Sequence, residues 1–212
     1  ADFLSNLGQI LKALGKPEEA EAAYRQALAK SPGFVDALAN LGALLQERGA
    51  VAEASGFLQQ AIRKEPGHAN AHMNLGNAYR KDGRIEDAEA AHRQAASLAP
   101  LSEETHANLA TTLIDQDKLE EAERSLKRAL LLNPALAEAA NSFGFLLFNQ
   151  RKYVPSGAWF GRAILLAPGY AAPHTGLAEL AYFSGNLEQG TGMATQGAGP
   201  GAAARPAPDL AG

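Results

Sequence analysis

His68 and His72 stand four residues apart, a spacing that suits two ligands of one metal ion. His68, however, falls at a junction between periodic segments rather than within one. No cysteine and no consistent third ligand accompany the pair. Neither a metal nor any other cofactor is therefore expected. The lack of cysteine also removes disulfides and thiol nucleophiles. Phosphate-binding Gly-x-x-x-x-Gly-Lys, nucleophilic Gly-x-Ser-x-Gly and zinc-binding His-Glu-x-x-His are all missing. Gly199-Pro200-Gly201, followed by Ala204, imitates part of a dinucleotide fingerprint, but no strand precedes it. The carboxylates gather at helix starts and outer faces, and none forms a pair set apart for proton transfer. The expectation is that the chain is not an enzyme and has no catalytic residue.

The chemistry that does recur is hydrogen bonding. Asn6, Asn40, Asn74 and Asn108 follow one another at intervals of 34 residues. An asparagine amide carries a donor and an acceptor. It can pair with the N–H and C=O of an extended peptide whatever that peptide's side chains. Each bond contributes roughly 0.5–1.5 kcal/mol net, so four give about 2–6 kcal/mol before the costs of association. That corresponds to weak binding, and neighbouring pockets must supply the rest. The alternative is that these amides pack or bond within their own repeat.

The elements that position these residues follow from the same interval. Pro32, Pro66, Pro100, Pro134 and Pro168 are each 34 residues apart. With Ala1 as position 1, position 7 reads Leu7, Leu41, Leu75, Leu109, Phe143 and Leu177, and position 8 reads Gly8, Gly42, Gly76, Ala110, Gly144 and Ala178. A large residue beside a small one lets a second helix come close. Ala20, Ala54, Ala88 and Ala122 at position 20, and Ala27, Ala61, Ala95, Ala129 and Ala163 at position 27, share one face of that second helix. Larger residues at positions 11 and 24 fill the remaining space. Gly15, Gly49, Gly83 and Gly185 mark position 15 as a helix stop. Acids such as Glu18, Glu53 and Glu120 follow at the next helix start, and proline at position 32 blocks continuation of the second helix. Each repeat is thus two antiparallel helices that must stack on neighbours to bury an apolar face.

These columns resemble those of the tetratricopeptide repeat (TPR) family. The resemblance implies an all-α, right-handed superhelical solenoid of antiparallel helix pairs. The repeats read as 1–34, 35–68, 69–102, 103–136 and a divergent 137–170, followed by a capping helix of a partial sixth repeat at 171–190. Repeat five departs from the pattern: it has Arg151 at position 15, Ser156 at position 20, and Gly157 and Gly161 in its second helix. Residues 191–212 are rich in glycine, alanine and proline and read as a disordered tail or linker.

The resemblance also implies that positions 2, 5, 6, 9, 12 and 13 of the first helices face a concave groove. Besides the asparagines, this places Asn77, Arg80 and Lys81 on the wall. Toward the C-terminus it adds Phe145, Phe148, Tyr182 and Phe183, which read either as an apolar anchor pocket or as rings covered by the capping segment. His72-Met73-Asn74-Leu75-Gly76 and His106-Ala107-Asn108-Leu109-Ala110 are similar to repeats of O-linked N-acetylglucosamine transferase, whose asparagine ladder holds substrate backbone. In repeats one and two, leucine stands in place of those histidines, so His72 and His106 also fit a packing column. The carboxylate clamp of chaperone-binding repeats is not expected, because Asp2, Asp36, Glu104 and Glu138 occupy the position where it needs lysine.

The formal charge of −4 excludes a general nucleic-acid binder. The apolar runs are too short for membrane insertion. The first reading is therefore a scaffold that binds an extended segment of a partner protein in its groove. The second is a substrate-recruiting arm of a larger glycosyltransferase or sulfotransferase. The third is self-association, with end repeats stacking on a neighbouring copy. The first residues, Ala1 to Leu4, show neither a start methionine nor a signal peptide, so the chain reads as trimmed. A cytoplasmic location is expected, with a periplasmic one equally compatible with the absence of cysteine.

Overall fold

The computed structural model describes residues 1–183, and every regular element in them is a helix. The segment 191–212 and the end of the segment 171–190 lie outside the described residues. The chain divides into two compact units, Ala1–Pro134 and Ala135–Gly212. The first holds α1 (Asp2–Ala13), α2 (Pro17–Lys30), α3 (Val35–Glu47), α4 (Val51–Lys64), α5 (Ala69–Lys81), α6 (Ile85–Leu98), α7 (Glu103–Asp115) and α8 (Leu119–Leu132). The second holds α9 (Ala137–Asn149), α10 (Tyr153–Leu166) and α11 (Ala171–Phe183). This is an all-α solenoid of helix pairs.

Local chemistry sets the helix ends. Pro17 opens α2, with Glu18 and Glu19 in its first turn and Lys30 in its last, each complementing the end dipole. The first helix of each pair stops on a residue in the left-handed region at position 15. That residue is Gly15 (φ 71°), Gly49 (φ 83°) or Gly83 (φ 77°), but in the next two pairs it is Asp117 and Arg151, both at φ 59°. The repeat therefore imposes this backbone even where glycine is absent. His68 caps α5, its Nδ1 accepting from the Ala71 amide at 3.1 Å.

In four of the five pairs a glycine at position 8 receives the side chain of position 24. A Cβ built on Gly8 would meet the Tyr24 ring, and one on Gly42 would meet Leu58. One on Gly76 would meet His92, and one on Gly144 would meet Phe160. These partners carry the large buried volumes, with Leu58, His92 and Phe160 all 0% exposed. A leucine such as Leu58 gains about 1.5–3 kcal/mol from full burial. The alanines at positions 20 and 27 are likewise sealed. In the second unit, Ser156 replaces the position-20 alanine without cost to hydrogen bonding, because its Oγ donates to the Gly144 carbonyl at 2.8 Å.

Candidate functional site

Within the first unit, α1 touches α3, α3 touches α5 and α5 touches α7, whereas no two second helices approach as closely. The first helices therefore form the inner side of this stack. Asn40 lines an open depression of about 350 Å³ there, together with Gln9, Lys12, Ala13 and Tyr24. Position 6 of one repeat thus stands beside positions 9, 12 and 13 of the one before. Asn6 is exposed, and Asn40, Asn74 and Asn108 are half-buried. Among the described residues, none bonds to the side-chain amides of these four. Their donors and acceptors are not spent on local structure.

The charged wall residues are spent. Lys12 Nζ donates to Glu47 Oε1 at 2.6 Å, Lys81 Nζ donates to the Gln46 carbonyl at 3.0 Å, and Arg80 pairs with Asp115. Each contact links position 12 of one repeat to position 13 of the next, so the three brace successive first helices. Arg80 and Lys81 lie where the repeat numbering puts them, but their charges are already engaged. Residues 35 apart in the chain gave no signal of pairing beyond the opposite sign of Lys12 and Glu47 and of Arg80 and Asp115.

The histidines divide by partner. His72 Nε2 donates to the Pro66 carbonyl at 2.9 Å, and His106 Nε2 donates to the Pro100 carbonyl at 3.1 Å. In both cases a first helix is tied to the proline turn before it. His92 is 0% exposed. Burial, with the Arg80 charge adding to it, drives its pKa down to about 4 against a weaker opposing bond to the Met73 backbone. Its Nδ1 lies 2.8 Å from Thr112 Oγ1 and its Nε2 lies 3.2 Å from Asn77 Oδ1. His92 stands at position 24, where a larger residue is expected only to fill space, and the column gave no signal of its link to Asn77. No third ligand joins His68 and His72, and no group of three or more His, Asp or Glu able to hold a metal occurs among the described residues.

The aromatic residues belong to the second unit. Phe145 meets Phe160 edge-on at 4.9 Å, and Phe148 meets both Tyr153 at 5.7 Å and Phe183 at 5.5 Å. Phe145 and Phe148 are thereby half-buried against α10 and α11, whereas Tyr182 remains 56% exposed. Trp159 packs on the neighbouring helix. It stacks on Phe143 at 4.5 Å, with Arg162 over its ring.

Models of the tetratricopeptide repeat match residues 11–73, 47–91 and 103–136, which together span more than half of the chain. No curated protein matches in sequence. Among solved structures, the chain is similar to PilF of Pseudomonas aeruginosa (22% identity, 92% of this chain and 89% of that one, TM-score 0.71). It is also similar to a thermophilic TPR protein of Thermus thermophilus (22% identity, 85% and 98%, TM-score 0.73). A third is YrrB, a TPR protein with an unusual peptide-binding site (21% identity, 82% and 90%, TM-score 0.57). No described helix is long and apolar enough to cross a membrane. The repeat columns, the helix pairs and these matches agree, and the chain belongs to the tetratricopeptide repeat family.

Proposed function

We propose that this protein-interaction scaffold binds an extended segment of a partner protein along the inner side of α1, α3, α5 and α7. Asn6, Asn40, Asn74 and Asn108 hold the segment's backbone. The observation that carries this reading is the set of four amides, one per repeat, with no hydrogen-bond partner among the described residues. An amide used for local structure would be paired at home. The peptide-binding site of YrrB supports the same use of the fold. Because Arg80 is paired with Asp115 and the Lys81 ammonium is tied to a backbone carbonyl within the wall, affinity rests on amide bonding and shape rather than on net charge.

The test compares the chain with the triple variant Asn40→Ala, Asn74→Ala, Asn108→Ala. Both are used to capture partners from a source lysate, and the captured segment is then titrated as a synthetic peptide. Helicity and melting are measured first to confirm that the variant folds. Loss of three bonds at about 0.5–1.5 kcal/mol each weakens the peptide roughly tenfold to a thousandfold. Unchanged affinity in a folded variant overturns the reading.

A further inference from the structure

We propose that His92 locks Asn77 with its carbonyl oxygen turned into the core and its NH2 turned to the wall. The third repeat would then offer bound protein a one-way hydrogen-bond donor. Its use in recognition rests on the groove reading above, but the orientation itself does not.

The argument begins at Thr112. Its hydroxyl has two partners in reach: His92 Nδ1 at 2.8 Å and the Asn108 carbonyl at 3.2 Å. Hydroxyl donors settle within about 2.5–3.0 Å of their acceptor, so the proton goes to the ring and Nδ1 accepts. The imidazole is sealed from water and neutral, and a neutral imidazole that accepts at one nitrogen donates at the other. Nε2–H therefore points at Asn77 Oδ1, 3.2 Å away. Turning the Asn77 amide over would set NH2 against N–H, donor against donor. The half-buried side chain has one end fixed on the core, and the end left for the wall is the NH2.

The relay runs from α7 through α6 to α5, so the neighbouring repeat decides what the wall presents. Leu58 and Leu126, which occupy the His92 column in repeats two and four, carry no polar atom and cannot orient a wall residue. Position 9 beside them is Ala43 and Thr111. The asparagines of position 6 can offer either end of the amide to a ligand. Asn77 can offer only the donor. The group it selects is a carbonyl oxygen: a backbone C=O, a side-chain amide, or a carboxylate.

The experiment needs no ligand, so its failure is separate from failure of the groove reading. On the full ¹⁵N-labelled chain at neutral pH, long-range ¹H–¹⁵N correlation of the His92 ring is expected to show the Nε2–H tautomer. The Nδ1–H tautomer overturns the proposal. Both Asn77 Nδ2 protons are expected to exchange with water as fast as those of Asn40 and Asn74. Tenfold protection of either one also overturns it. In His92→Leu, which copies the Leu58 packing, the Asn77 side chain should gain rotational averaging while Asn40 does not change. Unaltered order at Asn77 removes His92 as its positioning residue, and the two wild-type measurements stand whether or not this variant folds.

Discussion

A Cβ added to Gly76 would lie 2.5 Å from Nε2 of His92, a ring with no exposed surface. The ring is held at both nitrogens and cannot swing away. Gly76→Ala is expected to lower stability by about 1–3 kcal/mol, even though alanine favours a helix by about 1 kcal/mol. Gly56 in α4 has nothing within 4 Å of its built Cβ. Gly56→Ala should instead raise stability by about 0.5–1 kcal/mol. Urea unfolding midpoints of the two variants should therefore move in opposite directions.

The same histidine gives the fold a pH dependence. Unfolded, it takes a proton near its ordinary value of 6.5; folded, it resists until about 4 because burial disfavours the charged ring. Protons then favour the unfolded chain between those values. The contribution is complete above about pH 6.5, is lost as pH falls toward about 4, and amounts to about 3 kcal/mol. Carboxylates titrate in the lower part of this window, so the difference between the wild type and His92→Leu isolates the term. If the two chains lose stability in parallel from pH 7 to 5, the buried neutral ring is not its source.

Arg151 carries a left-handed backbone that three earlier repeats assign to glycine. Arg151→Gly should stabilise the second unit by about 1 kcal/mol, since a non-glycine residue there costs on the order of 1–2 kcal/mol and glycine loses part of that gain in entropy. Thermal melting with a probe in this unit, such as Trp159 fluorescence, would register the rise. A fall would mean that the arginine side chain contributes more than its backbone costs.

Glu89 is the one carboxylate, among the described ion pairs, that takes both an arginine and a lysine while its side chain stays only 13% exposed. Burial opposes its ionisation, but the bonds from Lys118 and Arg93 prevail and hold its pKa below the ordinary range. Glu89→Gln should cost about 1–2 kcal/mol at neutral pH. Glu53→Gln, at a carboxylate 47% exposed and bonded to Arg25 alone, should cost under about 0.5 kcal/mol. Equal losses in denaturant titrations would refute the role given to burial.

What the sequence determined by itself is whatever repeats every 34 residues. Helix pairing, the helix stop at position 15 and the small residues at positions 8, 20 and 27 each answer a local demand of backbone or packing, and the asparagine column follows the same interval. That demand recurs in every repeat, so it leaves the same residue type at the same offset. The departures were legible too: Ser156 stood out in a column of alanines, and Arg151 stood where the first three repeats have glycine. Only the tertiary structure decided which polar groups are spent and which remain. Arg80 and Lys81 read as wall charges, yet each is satisfied by a residue 35 positions away. His72 and His106 share a motif with the asparagines but turn to backbone carbonyls at the preceding prolines. His92 looked like filler and proved to join Thr112 to Asn77. A hydrogen bond depends on a few tenths of an ångström and on the direction of a proton. Neither is encoded in residue spacing, and both are fixed only when three helices from two repeats pack around one ring.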